Sequence, residues 1–235
     1  MNTLNNRFLF LTFVLLLYSC LLKANFNQDS LSFKNKSDKF KTGFAIGVNT
    51  LDFRLETTSS EEYNYIIKEG KKSIGFEIGL FFDYKLNNSI HIHSTPGFVL
   101  GSRQFKFLPK ENGEPFVSNI ESSFINFPLD VIFFITQKKN LFLLIGSSFK
   151  YDLSASRKLD IANNEFVKLK NVDYNLELGV GLDFFIKGIT ITTKIKTSIG
   201  FINVYGNTAE EVIDFLNTGL ESLNSRVYSI SFCFR

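Results

Sequence analysis

Two histidines are the residues best spaced to bind a metal. His91 and His93 are two positions apart, so in an extended strand both side chains lie on one face. Two imidazoles placed in this way could share a zinc ion, but no third ligand is evident in the sequence. The alternative is a pair of histidines that hydrogen-bond within a polar interior. We predict that arrangement, with no metal and no other cofactor, and His91 and His93 are the candidate ligands if a metal binds.

Acidic residues are the other candidates for chemistry, because paired carboxyl groups can act as general acid and base. Five of them fall within strand-like segments: Glu77, Asp83, Asp130, Glu177 and Asp183. Our interpretation is that they neutralise cations in a narrow interior, where unpaired charge is costly. The cations in question are Lys85, Arg103, Lys194 and Lys196. The sequence has no Gly-x-Ser-x-Gly nucleophile motif and no phosphate-binding glycine motif, so we predict no catalytic residue and no small-molecule substrate.

The charge balance argues against a nucleic-acid partner. The chain of 235 residues has a formal net charge of +3, and two of its cations, Arg7 and Lys23, lie in a predicted leader. Residues 1–24 have the pattern of a secretory signal, with Arg7 before an apolar run over residues 8–18 and Ala24 at the cleavage point. A lipoprotein signal at Cys20 and a retained helical anchor are the alternatives. Cleavage after Ala24 leaves Cys233 alone, so we expect no internal disulfide.

The positions that carry these side chains lie in strands with a period of two. In residues 74–86 every even position is apolar, and the odd positions hold glycines, charged residues and one Phe. Such alternation is typical of a sheet with one apolar and one polar face. It recurs often enough to predict eight strands, which lie near residues 44–56, 74–86, 90–103, 124–135, 141–153, 176–184, 189–201 and 225–235. In the first strand the pattern shifts near residues 50–51, as at a β-bulge.

The connections between these strands alternate in length. Long loops are predicted over residues 57–72, 104–121, 154–172 and 205–224, and short turns over 87–89, 136–140 and 186–188. Outer-membrane barrels have short periplasmic turns and longer outside loops, and a sheet that spans lipid must close on itself. We predict an all-β fold: an eight-stranded antiparallel up-and-down transmembrane β-barrel over residues 43–235, after a periplasmic segment over residues 25–42. The lipid bilayer of the outer membrane is then one partner.

A soluble, lipocalin-like barrel is the alternative fold. Its lumen would be apolar, and the charged faces of the strands would be outside, which solubility tolerates. The period of two alone does not exclude this arrangement. The asymmetry of the loops favours the membrane barrel.

Single residues within the strands have specific predicted roles. Gly75, Gly79, Gly179 and Gly181 alternate with charged residues on the inner face, so we expect them to make room for large side chains. Pro128 predicts a bulge or an interruption in backbone pairing. Cys233 is predicted to face the interior.

The last long loop has a different pattern. Thr208 and Glu211 form a capping box, and apolar residues follow at helical spacing up to Leu223. We predict a short amphipathic helix over residues 208–223. Its apolar side either packs on the rim of the barrel or binds another protein, and the candidate docking residues are Val212, Phe215, Leu216 and Leu220.

Several segments resemble the PorT (SprT) outer-membrane proteins of the type IX secretion system, within the wider outer-membrane β-barrel family. The matching pieces are Gly43-Phe44, Gly47-Val48-Asn49, Asp52-Phe53, Pro96-Gly97, residues 121–129 (ESSFINFPL), residues 177–184 (ELGVGLDF) and Ile230-Ser231-Phe232. The chain departs from the family in having Arg235 after Phe234, where an aromatic terminal residue is commoner. The resemblance implies a role in protein secretion, sometimes with gliding motility, and secretion-system proteins as partners. The alternatives are a small structural or adhesive barrel and a membrane enzyme.

Overall fold

The computed structural model describes residues 39–57, 64–110, 114–136, 140–155, 169–186, 188–206 and 220–235. These residues form ten strands and no helix. The strands are β1 (Phe40–Thr57), β2 (Tyr65–Glu69), β3 (Ile74–Lys85), β4 (Ile90–Ser94), β5 (Gly97–Pro109), β6 (Phe116–Phe134), β7 (Leu141–Asp152), β8 (Val172–Ile186), β9 (Ile189–Gly200) and β10 (Leu220–Phe234). None of the described segments is a helix with the length and apolarity to cross a bilayer.

All strand pairs are antiparallel, and their pairings close a ring. From β6 to β10 each strand pairs with the next one in the sequence, and β10 returns to pair with β1. β1 also pairs with β3, and both β4 and β5 lie between β3 and β6. The ring therefore has eight positions, one of which is shared by β4 and β5.

The eight predicted strands correspond to ten because proline interrupts one of them and a short strand adds another. β4 and β5 together occupy the predicted third strand. They share one register against β6, since His93 is opposite Asp130 and Gly97 is opposite Asn126. Between these pairs Thr95-Pro96 faces Pro128, and proline has no N–H to donate to a ladder. The predicted interruption at Pro128 is thus confirmed.

The short turns lie at one end of the ring and the long connections at the other, as predicted. Only two to six residues join β3 to β4, β6 to β7 and β8 to β9 at the short-turn end. Gly188, in the last of these turns, has a φ of 88°, which glycine adopts without strain. At the long-loop end, however, β5 continues to Pro109 and β6 already begins at Phe116. Most of the predicted loop over residues 104–121 is therefore strand.

The outer face of the ring is apolar near the short turns, but towards the long-loop end the apolar side chains change to the inner face. We call this change the reversal of wall polarity. On β1 the outward residues Phe44, Ile46 and Val48 are 52%, 44% and 43% exposed, and the inward Asn49 is buried. Beyond Thr50 the apolar side chains of Leu51 and Phe53 point inward and are 2% exposed. The same reversal occurs on β10 and β5: Tyr228 and Arg226 are consecutive outward residues of β10, and Leu100 and Ser102 are consecutive outward residues of β5.

The bulge predicted near residues 50–51 is wrong. The reversal of polarity explains why the sequence pattern suggested one. The pairing of β1 with β10 is continuous from Phe44 to Glu56 and shifts only between Glu56 and Thr57. The apolar residues change face because the environment outside the wall changes, while the backbone stays in register.

Candidate functional site

The interior of the ring holds the charged residues that the sequence placed there. Glu177 on β8 and Lys196 on β9 form an ion pair in which Nζ lies 2.5 Å from Oε2. The side chain of Glu177 is 1% exposed and that of Lys196 is 11% exposed. Nearby, the Lys150 ammonium donates to Asn175 Oδ1 at 3.2 Å and to Ser198 Oγ at 2.7 Å. The predicted neutralisation of charge is confirmed for the Glu177–Lys196 pair, whereas neither carboxylate oxygen of Asp130 has a hydrogen-bond partner among the described residues.

Other predicted cations find partners of a different kind. Lys194 Nζ lies 2.8 Å from His93 Nε2 and 3.1 Å from Thr95 Oγ1. The guanidinium of buried Arg103 lies between two aromatic rings, with its Cζ 4.1 Å from the centroid of Phe53 and 5.0 Å from that of Phe124. Cation–π contact of this kind stabilises a cation without a carboxylate. Within the part of the chain that is described, neither Arg103 nor Lys85 forms an ion pair.

The two histidines both face Asp83 of β3. His91 Nδ1 lies 2.9 Å from Asp83 Oδ2, and His93 Nδ1 lies 3.8 Å from Oδ1. The hydrogen-bonding pair in the interior is therefore what the structure contains. Lys194 donates to His93, and an ammonium group at that distance repels a divalent cation. Over the described ranges no group of three His, Cys, Asp or Glu residues is arranged to hold a metal ion.

Of the four glycines predicted to make room for large side chains, Gly181 does so, whereas a Cβ at position 75, 79 or 179 would first meet the backbone of a neighbouring segment. A Cβ at position 181 would overlap the ring of Phe142, so Gly181 makes room for that buried side chain. Cys233 is buried as a free thiol in contact with Ala45 and Phe81.

An apolar cluster fills the long-loop end of the ring, and we call it the cap. Its buried members come from five strands and two connecting segments: Phe53, Ile67, Phe105, Phe107, Ile120, Leu169, Val204, Leu220 and Leu223. Phe53 stacks on Phe105 with centroids 5.3 Å apart, and Phe107 stacks on Phe116 at 4.7 Å. Sequence reasoning missed the cap because it took the apolar side of every strand as the outward side.

The proposed docking helix is not confirmed. Val212, Phe215 and Leu216 lie outside the described residues, and their docking role stays a prediction. Leu220 is the first residue of β10 and belongs to the cap. Leu220 and Leu223 both face inward, three residues apart, because the register shifts between Glu56 and Thr57 and Glu221 is the extra residue. The spacing that suggested a helix here comes from a β-bulge.

A second group of charges, which sequence reasoning missed, lies on the outer surface beside the cap. Arg226 Nη2 is 2.6 Å from Glu69 Oε1 and 3.2 Å from Asp52 Oδ2, and Lys72 Nζ is 3.1 Å from Asp52 Oδ2. The partners are as many as 174 positions apart in the sequence. Local pattern carries no signal for such contacts.

The arrangement has the character of a sealed structure. Glu177 and Lys196 form a buried ion pair, whereas the buried carboxylate oxygens of Asp130 and Asp173 have no hydrogen-bond partner among the described residues. Aromatic residues stack in the cap, and the apolar outer belt is suited to lipid.

The sequence profile described as "Outer membrane protein beta-barrel domain" matches residues 23–206. Among solved structures, the chain is similar to Ail of Yersinia pestis in complex with the heparin analogue sucrose octasulfate, at 14% identity and a TM-score of 0.39, over 82% of this chain and 96% of that one. It is similar to OprG of Pseudomonas aeruginosa, at 10% identity and a TM-score of 0.43, over 83% and 92%. It is also similar to AlkL in DMPC lipid bilayers, at 11% identity and a TM-score of 0.43, over 89% and 96%. No curated protein sequence matches the chain.

Proposed function

The chain belongs to the outer membrane β-barrel family and is located in the outer membrane, and from this premise we propose that it is a non-enzymatic barrel that supports type IX protein secretion through protein partners. In this proposal the eight ring positions span the bilayer as an up-and-down barrel. The short turns lie in the periplasm and the cap lies outside the cell, as is usual for outer-membrane barrels.

The filled interior is the observation that supports a barrel that works through partners and is not a porin. The cap occupies the outer end of the ring, and the Glu177–Lys196 pair and its neighbours are buried below it. A ring of eight strands is just wide enough for side chains to fill. A barrel built in this way has no passage for solutes through the described part, so its outer and periplasmic surfaces are what partners can reach.

The type IX assignment is supported by the resemblance to PorT proteins. The matching segments fall on β1, at the β4–β5 junction, and on β6, β8 and β10, and they keep the same order along the chain. The segment of residues 121–129 includes Pro128, which faces the interruption between β4 and β5. Gliding motility is part of the proposal only where the secretion system also serves movement.

Depletion of the protein in its native cell tests this function. Mass spectrometry would compare the periplasmic and external pools before and after depletion. We expect proteins with a C-terminal sorting domain to accumulate in the periplasm while other outer-membrane proteins stay at their normal level.

The main alternative is a structural or adhesive barrel without a secretion role. If depletion leaves export unchanged but weakens surface attachment or envelope integrity, this alternative replaces the proposal. Re-expression of the wild-type chain is the control, since it should restore the external pool.

A further inference from the structure

β1 has an unpaired edge at its outer end. Towards β3 its ladder stops at Thr50, opposite Ile74, whereas towards β10 it continues to Thr57, opposite Leu220. Among the described residues, no strand pairs with residues 51–57 on the side away from β10. An edge of this kind leaves backbone donors and acceptors without a ladder partner, although Leu51, Asp52 and Phe53 at its centre are buried.

β2 leaves a second edge unpaired on the other side of the same opening. It pairs with β5 from Tyr65 to Glu69 and with no other described strand. Side chains, in place of a backbone ladder, join the two edges. Arg226 reaches Glu69 beside β2 and Asp52 on β1, and Lys72 also reaches Asp52. We call the four residues Asp52, Glu69, Lys72 and Arg226 the latch.

The latch also occupies the backbone of β1 at the centre of this edge. The Phe53 N–H donates to Asp52 Oδ1 at 2.8 Å, and the Phe53 carbonyl accepts from Arg226 Nη2 at 3.2 Å. Within a sheet, a neighbouring strand would normally provide one donor and one acceptor for these two groups. The latch therefore stands where a strand would bind.

Three of the four latch side chains are accessible to solvent: those of Lys72, Glu69 and Arg226 are 53%, 40% and 27% exposed, and that of Asp52 is 9% exposed. An ion pair as exposed as Arg226–Glu69 contributes little net stability, so a competing partner can displace it. Behind the edge lies the cap, in which Phe53 is 2% exposed.

We propose that residues 51–57 of β1 accept an extended segment of a polypeptide outside the cell by β-augmentation. The added strand runs antiparallel to β1, takes over the Phe53 N–H and carbonyl, and releases Asp52 and Arg226. Its inward side chains are apolar, because they meet the cap, and its outward side chains are polar. The inference rests on the proposal that this barrel works through protein partners, and it names the kind of segment that such a partner presents.

A labelled peptide of alternating Val and Thr with Lys at both ends is a suitable probe, since it offers a backbone edge with little specificity. Its binding to the full chain in lipid nanodiscs would be followed by fluorescence anisotropy. We expect Arg226→Ala, which uncaps the Phe53 carbonyl, to bind the peptide about tenfold or more tightly than the wild type does. Lys72→Ala loosens the latch from the opposite side and should act in the same direction if Arg226→Ala does not fold.

Arg54→Ala is the matched control. Arg54 lies on the same edge in an exposed pair with Glu56 at 3.8 Å, and it contacts neither backbone group of Phe53 in the described structure. We expect this variant to bind the peptide as the wild type does. Heat-modifiable gel migration would confirm that each variant is folded.

Two N-methylated forms of the peptide make the test specific for strand addition. Methyl groups on alternate amides block one edge of a strand and leave the other edge free. We expect one form to lose about tenfold or more in affinity and the other to keep it. Equal binding of both forms would overturn the proposal, because the contact would then be through side chains. If neither latch variant binds the peptide, the proposal is overturned as well, because loosening the latch would then not make the edge of β1 available to a strand.

This experiment and the depletion experiment fail separately. If the peptide binds as expected and export is unchanged on depletion, the edge accepts strands and the type IX assignment is wrong. If depletion blocks export and the peptide binds nowhere, the secretion role stands and partners use another surface.

Discussion

Arg235 Nη2 lies 2.6 Å from Asp183 Oδ2, and this pair ties the end of β10 to β8 across the intervening β9. The Nη1 of the same guanidinium lies 3.8 Å from Asp83 Oδ2 on β3, which is two strands away from β10 in the opposite direction around the ring. Arg235 and Asp183 are 14% and 13% exposed. Arg235 therefore holds the short-turn end of the ring together by charge.

Arg235→Ala should lower the free energy of unfolding by about 1–3 kcal/mol, the usual loss for a hydrogen bond between charged groups that are largely buried. Urea titration in lipid vesicles, with gel migration as the readout of folding, measures this change. Arg54→Ala removes an exposed arginine paired at 3.8 Å and should change stability by less than about 0.5 kcal/mol. Equal effects of the two substitutions would contradict the role given to Arg235.

The Glu177–Lys196 pair predicts strong coupling in a double-mutant cycle. Glu177→Gln leaves the Lys196 ammonium without its partner in a buried position, which should cost about 3–5 kcal/mol. Lys196→Met alone should be costly for the same reason, because it strands the carboxylate of Glu177. The double variant, with neither charge, should recover most of the loss. Additive effects, measured by the same urea titration, would show that the pair does not act as a unit.

The reversal of wall polarity predicts where lipid ends. Ile195 is 55% exposed on the outward side of β9, within the apolar belt. Ile195→Arg should destabilise the barrel by about 2–4 kcal/mol if that position is near the middle of the bilayer. Asn119 is an exposed outward residue of β6 in the polar part of the wall, so Asn119→Arg should be tolerated within about 0.5 kcal/mol. A similar loss for both variants would mean that the polar part of the wall also lies in lipid.

The sequence predicted the strands best where the same face of a strand is apolar along its whole length. In β3 the outward Ile74, Phe76 and Ile78 and the inward Glu77 and Asp83 keep to their sides from end to end, and the predicted strand matches the observed one within a residue. In β5 and β6 the polarity of the faces reverses. Phe105 and Phe107 face inward beside the outward Lys106, so a pattern read for one polarity ends the strand at Arg103.

The candidate sites differ in a similar way: a site could be predicted where its residues are close in the sequence, but not where distant strands bring them together. His91 and His93 could be placed on one face because they are two residues apart, and their neighbour Asp83 comes from the adjacent strand. The latch could not be predicted, because Asp52 and Arg226 meet only when β10 closes the ring on β1. Spacing along the chain contains no information on that closure.

The predicted docking residues can be tested by function without a structure of their segment. If Val212, Phe215 and Leu216 form the apolar side of a docking helix, Phe215→Asp and Leu216→Asp should reduce export of proteins with a C-terminal sorting domain and leave folding intact. Leu220→Asp is the contrasting variant, because Leu220 is buried in the cap and a charge there should impair folding by several kcal/mol, as for any unpaired buried charge. Normal export in both loop variants would remove docking from the roles of this segment.

The filled interior predicts an electrically silent barrel. In planar bilayers the wild-type protein should show no stepwise conductance, because the cap and the buried charges leave no aqueous path through the described part of the ring. The double variant Phe105→Ala with Phe107→Ala removes one ring from each of the two stacked pairs in the cap. It should open the outer end, while the Glu177–Lys196 layer still restricts the flow of ions. Small, flickering currents are therefore expected from that variant only. Steady conductance from the wild type, at the level of an open porin, would contradict both the sealed interior and the proposal that this barrel works through its surfaces.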